Sequence, residues 1–138
     1  MTYNEMLTAT WEAAKAEEKT AELYECTAPQ GVKYVHSVFR GNNNTTLMCN
    51  AYADGKVTEV AKFDSPWCED VVIHMPIKLT LEEANDILAE AGYKADWTQV
   101  VLRNPLGPEH NNPEYIYSYE SGANIAVDTF TKKVVPLT

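Results

Sequence analysis

Three histidines and three cysteines are the residues best equipped for chemistry: His36, His74 and His110, with Cys26, Cys49 and Cys68. A cysteine paired with a histidine base can supply a thiolate nucleophile, and Cys/His sets hold zinc. The spacing supports neither. No two histidines stand in H-x-x-x-H or H-E-x-x-H, and no cysteines form C-x-x-C, so any such site would need long-range convergence. Cys26 and Cys49 fall in apolar, alternating stretches and are expected as small core residues. Cys68 lies between Trp67 and Glu69, and a neighbouring carboxylate raises a thiol pKa rather than activating it. The six glycines are scattered singly, so no phosphate-cradling loop forms, and the pairs Glu17-Glu18 and Glu82-Glu83 fall on expected helix surfaces, where capping and solvation account for them. No catalytic residue, cofactor or metal ligand is expected, and the chain does not read as an enzyme.

The aromatic residues are more suggestive. The string Val32-Lys33-Tyr34-Val35-His36-Ser37-Val38-Phe39-Arg40-Gly41 returns as Pro113-Glu114-Tyr115-Ile116-Tyr117-Ser118-Tyr119-Glu120-Ser121-Gly122, with Tyr, Ser and Gly in register. On strands, Tyr34 and His36 share one face, as do Tyr115, Tyr117 and Tyr119, while Val35, Ser37, Ile116 and Ser118 point the other way. If a helix covers the Val35 and Ile116 side, the tyrosines stand on an open face, where rigid amphipathic rings suit a binding surface. In the alternative arrangement they pack beneath the helix or form cross-strand pairs. The candidate partner-binding residues are therefore Tyr34, His36, Tyr115, Tyr117 and Tyr119, with Trp67, Trp97 and the polar loop 104–112 as additions.

The elements that must position these side chains follow from period and punctuation. Thr2 with Glu5 forms a capping box, and Tyr3, Met6, Leu7, Trp11 and Ala14 recur at helical spacing, which predicts a helix over 3–18. Strands are expected near 21–27, 32–40, 45–53 and 56–63, separated by Pro29-Gln30-Gly31, Gly41 to Asn44 and Asp54-Gly55. Asp54-Gly55 is the strongest hairpin signal of this half. The run 71–79 starts as a strand, but Pro76 restricts it to an edge or an exit. A second capping box, Thr80 to Glu83, opens a helix over 81–91 that ends at Gly92. Strands are then expected over 97–102, 113–120, 124–130 and 133–137.

The order is helix then strands, twice over. It predicts an α+β fold of two pseudo-repeated units, 1–69 and 70–138, each one helix on an antiparallel sheet of three or four strands; a single continuous domain is the other arrangement.

Within the second half, Pro76-Ile77-Lys78-Leu79-Thr80-Leu81-Glu82-Glu83-Ala84, Glu114-Tyr115-Ile116-Tyr117-Ser118 and Ala126-Val127-Asp128-Thr129-Phe130-Thr131-Lys132-Lys133-Val134 resemble a PepSY-type domain, a helix followed by antiparallel strands and a closing V-D-x-x-T-x-K-V hairpin. The resemblance covers residues 76–138. Two such units in tandem are similar to the architecture of β-lactamase inhibitory proteins, which implies a concave sheet offered to another protein and names no catalytic residue. The family's small turn before the final lysine is replaced here by Thr131-Lys132-Lys133.

Composition narrows the partners. The 138 residues carry a net charge of −9, spread evenly: 10 acids and 6 bases over residues 1–69, 10 and 5 over residues 70–138. Such a field repels phosphates, so nucleic acid and anionic lipid are poor partners. No apolar run approaches a membrane span. The N-terminal residues show neither a basic nor an apolar leader region, which reads as cytoplasmic, or as secreted or periplasmic if a leader has been removed. The expected function is noncatalytic binding of a protein or peptide, with an inhibitory role among the outcomes. The competing expectation is a small-molecule-binding or enzymatic α+β domain whose helix and curved sheet enclose His36 and Tyr117.

Overall fold

The computed structural model describes residues 1–67, 70–105 and 112–137. Cys68, His110 and the centre of the 104–112 loop lie outside the described residues.

Both helices start where the capping boxes place them. In α1 (Tyr3–Glu17) the Thr2 hydroxyl accepts from the Glu5 N–H and the Glu5 carboxylate accepts from the Thr2 N–H; Thr80 and Glu83 do the same for α2 (Leu81–Glu90). Helix α1 buries Tyr3, Met6, Leu7, Thr10 and Ala14, and α2 buries Leu81, Ala84 and Leu88. These are stripes at three- and four-residue spacing, one face of each helix.

The strands are β1 (Glu22–Pro29), β2 (Tyr34–Arg40), β3 (Thr46–Tyr52), β4 (Ala61–Phe63), β5 (Asp70–Val71), β6 (Gln99–Pro105), β7 (Glu114–Ser118), β8 (Asn124–Asp128) and β9 (Val134–Leu137). The Asp54-Gly55 turn forms, with Gly55 at φ +99° and the Tyr52 N–H donating to the Lys56 carbonyl, but the returning chain pairs as a regular strand only at β4.

The expectation of two helix-on-sheet repeat units is overturned by the sheet. Eight strands follow one another in the order β4-β3-β2-β1-β6-β7-β8-β9, all antiparallel, and β5 adds to the end of β6. The β1–β6 ladder, from Glu25 opposite Arg103 to Pro29 opposite Gln99, joins the halves into one surface. A single hydrophobic cluster runs beneath both helices. Tyr3 of α1 meets Tyr115 of β7 edge-on, ring centroids 5.9 Å apart, and the Asn4 side-chain oxygen accepts from the Leu81 N–H of α2. The α+β class with an antiparallel sheet stands; the division into two repeated units does not.

A bulge at Tyr24 explains where the connector fits. The β1–β2 register shifts between Leu23 and Glu25. Beyond Arg103 strand β6 pairs with β5 instead of β1, while Ile73 bridges to Leu23 and is buried in the core. The segment carrying β5 and Ile73 thus fills the opening between the two diverging strands.

Candidate functional site

Directly opposed residues of antiparallel strands share a face, so the register sorts the sheet into rows. One row runs Cys49, Ser37, Cys26, Leu102, Tyr115, Val127 across six strands. This is the helix-covered side: Thr10 of α1 reaches Ser37 at 2.7 Å between hydroxyls, and Ser37 donates to the Cys26 sulfur at 3.4 Å. The neighbouring row runs Asn50, His36, Thr27, Val101, Ile116, Ala126 on the side that neither helix covers.

This sorting corrects the expected tyrosine face. Tyr115 and Tyr117 have no exposed surface and lie under the helices, whereas Tyr34 and His36 stand on the opposite, open side. The Tyr115 hydroxyl donates to the Leu79 carbonyl at 2.6 Å and accepts from the Asn4 amide at 3.2 Å. Tyr117 donates to the Asn85 side-chain oxygen at 2.7 Å, and its ring meets Trp97 edge-on at 5.4 Å. Burial pushes both phenols well above their usual range. Tyr119, just past β7, packs against the same core, and its hydroxyl is buried without a hydrogen-bond partner among the described residues. The two strings that align in sequence therefore present their tyrosines to opposite faces, and the in-register repeat is not realised as a repeated surface.

On the open side the first half retains a compact group. Tyr34 is 39% exposed, and its ring lies 5.9 Å from that of Tyr52, its directly opposed partner on β3. One step along, His36 Nδ1 and the Asn50 side-chain oxygen are 2.6 Å apart, again across a register pair. Sequence reading found Tyr34 and His36 but missed Tyr52 and Asn50. The β2–β3 hairpin register would have supplied them, since both lie at alternating positions of the segment expected over 45–53. Away from this corner the same face is less exposed: Val38 and Ala126 are buried, and Glu25, Arg103, Glu114 and Asp128 stand in one row of charged neighbours. Trp67 is half-buried in the connector after β4 and engaged with a neighbour, and Trp97 packs on Tyr117, on the face opposite Tyr34 and His36.

The thiols are not poised for nucleophilic work. Burial pushes Cys26 up to about 11 and raises Cys49, against hydrogen bonds that act in the other direction. Both lie in the helix-side row while His36 faces the open side, so neither meets that imidazole. Among the described residues no three His, Cys, Asp or Glu side chains stand close enough to hold a metal ion. His74 is exposed in the connector, remote in sequence and role from the Tyr34 corner; it lines a separate cleft with Lys78 and Phe130. No helix among the described residues is long and apolar enough to cross a membrane.

No family model matches the chain, and no curated protein matches it. Among solved structures the chain is similar to a protein from Clostridium difficile 630 described as a "putative lipoprotein" (CD1622), with a TM-score of 0.70 and 14% identity over 98% of this chain and 93% of that one. At that identity the two share a fold.

Proposed function

We propose that the protein is a noncatalytic binding module that meets a protein or peptide through the open-face corner of Tyr34, His36, Asn50 and Tyr52. The observation that carries this reading is the pairing of those four side chains across the β2–β3 ladder on the face the helices leave uncovered. Cross-strand pairing fixes rotamers before any partner arrives, so little side-chain entropy is lost on contact, and aromatic rings with polar tips supply both apolar area and directed hydrogen bonds. The buried, unactivated thiols favour binding over covalent catalysis. His36 and Tyr117 lie on opposite faces of the sheet and so line no common cavity.

The resemblance of residues 76–138 to PepSY-type domains agrees with a binding role. The lipoprotein description of the clostridial neighbour supports a site of action outside the cytoplasm, which fractionation of native cells with an antibody to the chain would test. The binding test is a double variant, Tyr34→Ala with His36→Ala. Proteins retained by the parent chain and lost by the variant are identified, and the interaction is then measured with purified components. The expected result is at least a tenfold loss of affinity, about 1.4 kcal/mol, with the variant still folded cooperatively and its melting temperature lowered by only a few degrees. Equal affinity for parent and variant removes the corner from the binding surface.

A further inference from the structure

The connector before α2 and the turn between β8 and β9 enclose a cleft of about 240 Å³ on which the Tyr34 corner does not border. Its lining includes His74, Pro76, Ile77, Lys78, Asn112 and Phe130. Pro76, Ile77 and Phe130 contribute apolar surface, and Phe130 is 58% exposed, a large ring left in solvent at the cleft. The Lys78 amine sits 5.5 Å from the centre of that ring.

Lys78 is the cation that could hold a charged ligand at this cleft. The chain is strongly acidic, yet neither Lys78 nor His74 forms an ion pair among the described residues. Among the described residues, two neighbouring carboxylates are hydrogen-bonded to neutral donors and not to Lys78 or His74. Asp128 accepts from the N–H groups of Phe130 and Thr131 and from the Asn112 amide, and Glu83 accepts from the N–H and hydroxyl of Thr80. The Thr129 hydroxyl is likewise used, donating to the Pro113 carbonyl. A cation with no carboxylate partner among the described residues, beside apolar surface, suits a ligand that carries one negative charge on a small apolar body.

We propose that this cleft binds a small amphiphilic monocarboxylate. Its carboxylate lies against the Lys78 ammonium with His74 beside it, and its hydrocarbon part lies on Ile77, Pro76 and Phe130. The cleft volume limits the body to a few carbons or one small ring. The site stands independently of the Tyr34 corner, and failure of either leaves the other intact.

Titration of isotope-labelled protein with hexanoate, hexanamide and hexylamine, followed by amide NMR shifts, tests the assignment. Hexanoate should give saturable shifts centred on His74, Ile77, Lys78 and Phe130. Hexanamide, of the same shape without the charge, should bind about tenfold more weakly, and hexylamine should leave those signals in place. Lys78→Met, which keeps the apolar stem, should weaken hexanoate about tenfold with no change in melting temperature. Absence of saturable shifts, equal response to hexanoate and hexanamide, or undiminished binding by Lys78→Met overturns the proposal.

Discussion

Strands β2 and β7 carry the same short pattern, a tyrosine with a serine three residues on, and the fold uses them in opposite ways. In β7 the tyrosines are the helix side: Tyr115 and Tyr117 are fully buried, with hydroxyls bonded to Leu79 and Asn85. In β2 the helix side belongs to Val35, Ser37 and Phe39, and Tyr34 and His36 face outward. In the row that crosses the sheet, Tyr115 lies level with Ser37, three residues along from Tyr34. An odd offset inverts every side chain, because strand periodicity is two. Identity of pattern is thus no guide to identity of face; what sits on the sheet decides it.

The largest effect that this contrast predicts is at Tyr115. Tyr115→Ala empties a fully buried site, strips the Tyr3 ring of its edge-on neighbour and leaves the Leu79 carbonyl and the Asn4 amide without their partner. Large-to-small changes of this kind cost about 3–5 kcal/mol. Chemical denaturation should show a loss of that size, against less than about 1 kcal/mol for Tyr34→Ala. Comparable losses at the two positions would break the assignment of opposite faces.

Much of this fold could be read from the chain because local signals agreed with it. Both capping boxes form, and Gly55 makes the turn that Asp54-Gly55 announces. The β1–β6 pairing was not legible, since nothing local in Glu25–Pro29 or Gln99–Arg103 marks them as mutual partners rather than edges of separate sheets. That single ladder turns two expected units into one sheet. The face of β7 was open for a related reason: Tyr115 and Tyr117 alternate with Ile116 and Ser118, and both sides of the strand are amphipathic enough to be buried. Only the hydroxyl partners supplied by Leu79 and Asn85, distant in sequence, make the tyrosine side the interior one. At the open corner Tyr34 and His36 could be found by alternation, whereas Tyr52 and Asn50 required the hairpin register.

A second contrast lies between the two helix C-termini. After α2 the chain simply turns at Ala91-Gly92, but after α1 the carboxylate of Glu18 reaches across to accept from the Asn42 N–H, the Thr45 hydroxyl and the Lys62 ammonium, the last at 3.1 Å. A Cβ on Gly41 would lie 2.0 Å from a Glu18 oxygen and 2.3 Å from the Thr45 hydroxyl, so the turn between β2 and β3 closes onto Glu18 only with glycine there. Gly41→Ala should cost about 1–3 kcal/mol, the range of overpacked sites. Gly31→Ala, where a Cβ meets nothing, carries only the strain of its φ of +84°. The smaller loss at Gly31 in thermal melts would sharpen this reading.

The same carboxylate sets a pH dependence. Burial alone would raise the Glu18 pKa; the bonds from Lys62, Asn42 and Thr45 outweigh that and hold it below the usual glutamate value. A folded-state pKa below the unfolded one means the unfolded chain binds the proton first, so stability is present above the unfolded value and is lost as pH falls through the folded one. Melting temperature should therefore fall on acidification through the glutamate range. Glu18→Gln should be less stable at neutral pH and show a shallower acid slope, and an unchanged slope would remove Glu18 from the effect.

Tyr117→Phe should follow in size. It keeps the ring against Trp97 and removes only the hydroxyl that donates to Asn85, a change of about 1 kcal/mol, the net worth of one hydrogen bond. The smallest stability effect belongs to Tyr34→Ala on the open face, and its smallness is informative. The Tyr34 ring rests on Tyr52 across a register pair, an arrangement worth a few tenths to about 1 kcal/mol, with no hydrogen bond from its hydroxyl to lose among the described residues. Placing Tyr34→Ala beside Tyr52→Ala and the double variant separates the ring pair from the rest: if the rings support each other, the double variant loses less than the sum of the singles. Strict additivity would mean that the pair is held apart from one another by the backbone register alone. The preorganisation that makes this corner a binding surface would then rest on His36 and Asn50.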